Sequence, residues 1–208
     1  MTKTFQHATE MCLLASSAFG YDWEQRLRHK LNLMCPNCNR WKAVSMLRNI
    51  NIITHSLPPR VAFAVLHTMF NGWCTASRFG KYAKCRLCVA CGAQGVLPQE
   101  SLRHLVHCPL TAAVRKMAGL HHLAKDWDIK SFMLARKMEQ QDVVLMGKFL
   151  FTMYSTFNSI GSSANAAGSL DNWLKRAKIT FEDIDGQSDG STDNRRSSSM
   201  SLADSSMG

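Results

Sequence analysis

The sequence has no acidic residue from Gln25 to Gln99, a run of 75 residues. Up to residue 120 there are 15 Lys and Arg and only four acids, whereas the remaining 88 residues carry 10 basic and 11 acidic groups. Ordinary surfaces mix both signs of charge. A stretch without carboxylates offers its cations few internal partners, so we expect it to attract a polyanion. A basic surface that binds no ligand is the alternative interpretation.

The sequence also lacks an apolar run long enough to span a bilayer. The longest candidate, 143–160, is interrupted by Lys148, and the apolar segment 11–19 is short and contains Ser16 and Ser17. We therefore expect no membrane insertion and no secretion, but a nuclear or cytoplasmic protein. In those compartments the eight cysteines should be thiols or metal ligands rather than disulfides.

Apolar residues recur at helical rather than strand spacing, which predicts a mainly α fold. One helix is predicted over 23–34, and another should begin at Pro58-Pro59 and end at Asn71-Gly72. A third is predicted over Asp142–Ile160, and such apolar stripes are typical of core rather than of binding sites. The buried face of that third helix would comprise Val143, Met146, Leu150, Met153, Tyr154 and Phe157.

Composition divides the chain into segments. From Gly186 onward the sequence is rich in Ser, Asp and Gly with almost nothing to bury, which predicts disorder. Within the preceding segment, a last helix is expected at about 169–178. The predicted organisation is a basic helical amino-terminal segment (1–56), a module whose cysteine and histidine spacing is typical of zinc ligands (57–120), carboxyl-terminal helices of the same domain (121–160), a linker and short helix (161–185) and a disordered Ser-rich tail (186–208).

Potential metal ligands are concentrated between Cys85 and Cys108. Two overlapping C-x2-C pairs share Cys88, and each lets two thiolates point at one centre. His104 and Cys108 are four residues apart in a predicted short helix and so project from one face. The preferred ligand set is a C-x2-C…H-x3-C quartet in which Cys85 could replace Cys91. His107 is either a solvent-facing residue or a phosphate contact. That quartet is Cys88, Cys91, His104 and Cys108.

Four ligands of this type indicate one structural Zn²⁺ that holds a small helical domain together, because a segment of about 25 residues buries too little core by itself. A catalytic zinc would need an open position and a general base, and Glu100 is the only carboxylate nearby. We therefore predict no catalytic residues and no enzymatic activity of this chain alone. Reduced cysteines packed in the core are the alternative, and packing is also the simplest interpretation of Cys35 and Cys38.

Four motifs in this order resemble a known module. They are 57–66 (LPPRVAFAVL), 71–79 (NGWCTASRF), a C-x2-C-G turn and 100–109 (ESLRHLVHCP). Together they resemble the zinc-binding region at the carboxyl end of reverse transcriptases from non-LTR retrotransposons. The resemblance covers about residues 57–116 and implies a helical zinc module that accompanies a polymerase. The order of the motifs is fairly specific, although each motif alone is not.

Two features depart from that family. Three residues separate His104 from Cys108, where the family often has four. No Tyr/Phe-x-Asp-Asp pair occurs in the 208 residues, and two-metal polymerisation needs rigidly held carboxylates. The resemblance therefore implies a retroelement origin without the polymerase chemistry.

The leading hypothesis is a structural-zinc nucleic-acid-binding domain derived from a retroelement reverse transcriptase, with RNA or single-stranded DNA as its partner. Aromatic side chains at Trp73, Phe79 or Tyr82 could stack on unpaired bases, or could pack in the core. One alternative is a zinc-dependent module that binds another protein, such as a reverse transcriptase, and a second is a decayed mobile-element fragment without selected function. The candidate phosphate contacts are Arg60, Arg78, Lys81, Lys84, Arg86 and Arg103.

Overall fold

The chain is described by a computed structural model that covers residues 25, 28–29, 32–33, 40–70, 72–75, 80, 84–90, 98–162 and 169–186. Over these ranges the fold is mainly α, as predicted, and contains no β-strand apart from an isolated antiparallel bridge between Lys84 and Gln99. No described helix has the length and apolarity needed to cross a membrane. The helices are α1 (Arg40–Ser56), α2 (Pro59–Met69), α3 (Arg86–Ala90), α4 (Leu102–His107), α5 (Pro109–Met117), the 3-10 helix η1 (Leu120–Asp126), α6 (Ile129–Phe132), α7 (Gln140–Ser162) and α8 (Leu170–Gly186).

Helix α2 begins at its proline, as predicted, because a proline at the first helical position gives up no intrahelical hydrogen bond. It ends at Met69, and the chain turns back immediately afterwards. Gly72 lies so close to α2 that a Cβ at this position would be 2.6 Å from Nδ1 of His67. This turn therefore requires glycine on steric grounds, and it directs the chain towards Trp73.

Helix α7 is the centre of the fold and contacts α1, α2, α3, α5 and α8. The predicted buried face is confirmed, with Tyr154 only partly buried. Burial extends further round the helix than predicted, because Phe149, Thr152 and Thr156 are also buried. At Gly147 an added Cβ would lie 2.7 Å from Cδ1 of Leu57, so the glycine allows the end of α1 and the residue after it to approach α7 closely.

Helix α8 is longer than the predicted segment 169–178 and packs against α7 and α5. Its buried side chains, Trp173, Ala177 and Ile184, continue one helical face past Lys178. The predicted tail lies outside the described residues after Gly186, as does most of the predicted helix 23–34, whose described residues are helical.

Trp73 belongs to the core and is not available to stack on a nucleic-acid base. It is fully buried, and its ring contacts those of Tyr154 and Phe157 at centroid distances of 5.7 and 5.1 Å. The indole Nε1–H donates to Oγ1 of Thr68 at 2.8 Å, so its one polar group is satisfied. The core-packing interpretation of this residue is therefore correct, whereas Phe79 and Tyr82 lie outside the described residues.

We expect Trp73→Ala to lower the free energy of unfolding by about 3–5 kcal/mol, because it removes a large buried ring and leaves a cavity. The matched control is Ile179→Ala on α8, whose side chain is 59% exposed. That exposed substitution should change the free energy of unfolding by about 0.5 kcal/mol or less. Urea unfolding followed by circular dichroism measures both, and equal effects would contradict the assignment of Trp73 to the core.

Candidate metal centre

The first pair of potential ligands comes from the start of α3. Cys85 directly precedes the helix and Cys88 lies within it, so the C-x2-C spacing spans the first helical turn. The carbonyl of Cys85 accepts the backbone N–H of Val89 at 3.0 Å, which closes this turn. The backbone N–H of Cys85 donates to the carbonyl of Pro98 at 2.9 Å. The turn is therefore fixed to the strand-like segment that leads into α4.

The second pair comes from α4 and its end. The hydroxyl of Ser101 caps α4 by accepting the backbone N–H of His104 at 3.2 Å. This hydrogen bond fixes the start of the short helix that carries the imidazole. Cys108 ends α4 and at the same time caps the start of α5, because Pro109 is the first residue of the next helix. Its sulfur therefore lies at the corner between two helices.

The ligand atoms of Cys85, Cys88, His104 and Cys108 all lie within 4.8 Å of one another. Sγ of Cys88 is 3.2 Å from Nε2 of His104 and 3.6 Å from Sγ of Cys108. A tetrahedral ion with metal–sulfur bonds of about 2.3 Å requires sulfur–sulfur distances of about 3.8 Å. The four side chains could hold one metal ion, and the three cysteines are buried.

Three of the four preferred ligands are thus brought together, and the alternative ligand Cys85 completes the cluster. Cys91 lies outside the described residues, so the quartet that contains it stays a prediction. His107 is exposed on α4 and does not belong to the cluster, which leaves it on the solvent side of the helix.

Burial and mutual contact shift the pKa values of the three thiols in different directions. A hydrogen bond from Cys108 lowers the pKa of Cys85 to about 6, against the opposing effect of burial. Burial and the adjacent Cys85 thiolate raise the pKa of Cys88 to about 11. The hydrogen bond to Cys85 and burial raise the pKa of Cys108. Three thiolates at this spacing therefore need a cation at their centre, which is the requirement that Zn²⁺ meets.

Among the six candidate phosphate contacts, Lys84 and Arg103 are exposed, whereas Arg78 and Lys81 lie outside the described residues. Arg60 lies over the ring of Phe151 at 5.7 Å and donates to a carbonyl of α8. Arg86 forms an ion pair with Glu100, so its guanidinium is engaged within the fold.

The ion pair between Glu100 and Arg86 is the site feature that the sequence did not predict. Glu100 is only 2% exposed and binds Arg86. The available signal was its position as the only acid between residues 25 and 120, since a single carboxylate among many cations is well placed to be paired.

No protein-family model, curated protein or solved structure matches this chain.

We expect metal binding near pH 7 to release about two protons from the thiols, because Cys85 is largely ionised there while Cys88 and Cys108 still hold their protons. Since protons and metal compete for these sulfurs, the affinity should rise with pH, by about a hundredfold per pH unit between pH 7.5 and 8.5. Calorimetric titration with Zn²⁺ in buffers of different ionisation enthalpy counts the protons. Release of no proton would contradict the thiolate assignment.

Proposed function

We propose that this chain is a nucleic-acid-binding domain whose central module is held together by one structural Zn²⁺, and that the chain is not an enzyme by itself. The observation that carries the proposal is the convergence of the Cys85, Cys88, His104 and Cys108 ligand atoms within 4.8 Å. The ion would join the turn at the start of α3 to the end of α4, two places 20 residues apart in the sequence.

Zinc is the metal that this donor set favours. Three thiolates and one imidazole are soft to borderline ligands, and carboxylate-preferring ions such as Mg²⁺ and Ca²⁺ bind them poorly. Four protein ligands would complete a tetrahedron and leave no position for a substrate or a reactive water. Glu100, the only carboxylate near the cluster in the sequence, is buried and paired with Arg86. A structural role is therefore better supported than a catalytic one.

The charge of the module supports nucleic acid as the partner. Residues 57–120 contain eight Lys and Arg and one acid, Glu100. Because that acid is 2% exposed and neutralised by Arg86, the exposed charge of this segment is of one sign. Lys84 lies on the bridge that precedes α3 and Arg103 on α4, so two exposed cations flank the ligand-bearing segments. Clustered cations of this kind bind phosphates with steep salt dependence.

The family resemblance points to the same partner. The motifs of residues 57–116 resemble a region that accompanies reverse transcriptases, whose templates are RNA and single-stranded DNA. The polymerase carboxylate pair does not occur in these 208 residues. Binding of nucleic acid without polymerisation is therefore the activity that we propose for the chain.

The metal is tested with a pair of matched cysteine variants. We expect the purified protein to contain about one zinc per chain by native mass spectrometry, and Cys88→Ser to lose it, because removal of one thiolate from such a site opens the tetrahedron. Cys74 is an exposed free cysteine outside the cluster, so Cys74→Ser should keep full zinc content. Retention of zinc by Cys88→Ser, or its loss from both variants, would count against the proposed site.

Nucleic-acid binding is tested with two charge-matched double variants. Lys84→Ala/Arg103→Ala should weaken binding of labelled single-stranded RNA, and it should reduce the slope of log affinity against log salt by about 1.4, since each phosphate contact on a single strand contributes about 0.7. Lys137→Ala/Lys175→Ala removes the same charge from exposed positions outside the module, and its slope should stay closer to wild type.

Competition with heparin distinguishes a nucleic-acid partner from an acidic protein partner. If heparin displaces the RNA at equal charge concentration and both double variants lose affinity alike, the surface is a general polyanion site, and the protein-binding alternative gains support. Affinity that does not change between 50 and 200 mM salt would contradict phosphate contacts altogether.

A further inference from the structure

The two ligand-bearing segments are joined by contacts that involve no metal. Lys84 and Gln99 form an antiparallel bridge, and next to it the backbone N–H of Cys85 donates to the carbonyl of Pro98. One residue further, the backbone N–H of Arg86 donates to Oε2 of Glu100 at 3.2 Å. The chain therefore returns to the start of α3 before it enters α4.

The Arg86–Glu100 ion pair closes this return. Nε of Arg86 donates to Oε2 of Glu100 at 2.7 Å, and Nη2 donates to Oε1 at 2.8 Å, so both carboxylate oxygens are held by one guanidinium. The Glu100 side chain is 2% exposed and that of Arg86 is 31% exposed. An ion pair with two hydrogen bonds fixes the orientation of the guanidinium relative to the carboxylate as well as their separation. Because the pair is partly buried, salt screens its electrostatic attraction less than that of an exposed pair.

Arg86 also attaches the cluster to the helical core. Its Nη2 donates to the carbonyl of Cys74 at 3.1 Å, in the segment that follows α2. Its guanidinium lies 4.3 Å from the centre of the Phe157 ring on α7. One side chain thus contacts the segment before α4, the segment after α2 and the central helix, each by a directional interaction.

We propose that Arg86 and Glu100 are positioning residues for the metal, which set the Cys85–Cys88 turn against the His104–Cys108 pair before the ion binds. Arg86 directly follows the ligand Cys85, and Glu100 directly precedes Ser101, the residue that caps the helix of His104. An ordered site binds more tightly because less chain entropy is lost on binding. This inference rests on the proposed metal site and assigns to Arg86 a role other than a phosphate contact.

The test measures Co²⁺ affinity by competition with a chromophoric chelator. Glu100→Gln keeps the shape of the side chain but removes its charge, and we expect it to weaken binding by about tenfold or more, the scale seen for residues that orient metal ligands. The visible d–d spectrum of bound Co²⁺ should match wild type, because the four ligands are unchanged. Lys148→Met is the control variant and should keep the Co²⁺ affinity of wild type. Lys148 on α7 also pairs with a carboxylate and lies over an aromatic ring, but its partners Asp185 and Phe181 are on α8.

A double variant separates positioning from folding. Arg86→Met/Glu100→Met replaces the pair with apolar side chains, which avoids leaving one buried charge without its partner. We expect its metal-free helicity to equal wild type while its Co²⁺ affinity stays weakened by about tenfold, as in Glu100→Gln. Wild-type affinity in both the single and the double variant would overturn the inference while the metal site stood. Failure of the wild-type chain to bind Co²⁺ or Zn²⁺ would overturn the proposed function and this inference together.

Discussion

The convergence of three sulfurs and one imidazole nitrogen sets the main physical constraint on this molecule. Buried thiolates repel one another, and burial together with the neighbouring thiolate raises the pKa of Cys88, so ionisation of all three thiols is favoured only around a cation. The surrounding segments are short: α3 has five residues and α4 has six. Helices of this length are not stable alone, and they depend on packing or on a ligand.

The cluster of potential metal ligands is part of the hydrophobic core and not a separate surface feature. Leu87, Cys88, Leu105 and Cys108 belong to the same buried cluster as the central helix α7. Arg86 then adds directional contacts to the segment after α2 and to α7. A metal ion bound here would therefore contact side chains that also pack in the core, which is the arrangement expected of the structural site that we propose.

Local features of this structure were predictable from the sequence, and long-range ones were not. The start of α2 at Pro59 was predictable because the effect of a proline on a helix is local. His104 and Cys108 do meet in one cluster, as predicted, but not from one helical face, because Cys108 lies just after α4 and has an extended backbone. The presence of Cys85 in the cluster depends on Pro98, whose carbonyl accepts the Cys85 backbone N–H from 13 residues away. The engagement of Arg86 likewise depends on the burial of Glu100, 14 residues later, which composition does not encode. Charge counting identified a basic segment but could not distinguish cations that bind within the fold from those that face solvent.

Cys108 illustrates how one residue can serve two neighbouring elements. It ends α4 and precedes α5, with an extended backbone between the two helices. Because its sulfur also belongs to the cluster, a bound ion would couple the angle between these two helices to its own bond lengths and angles. Since α5 packs against α8, the same residue also connects the proposed metal site to the last described helix.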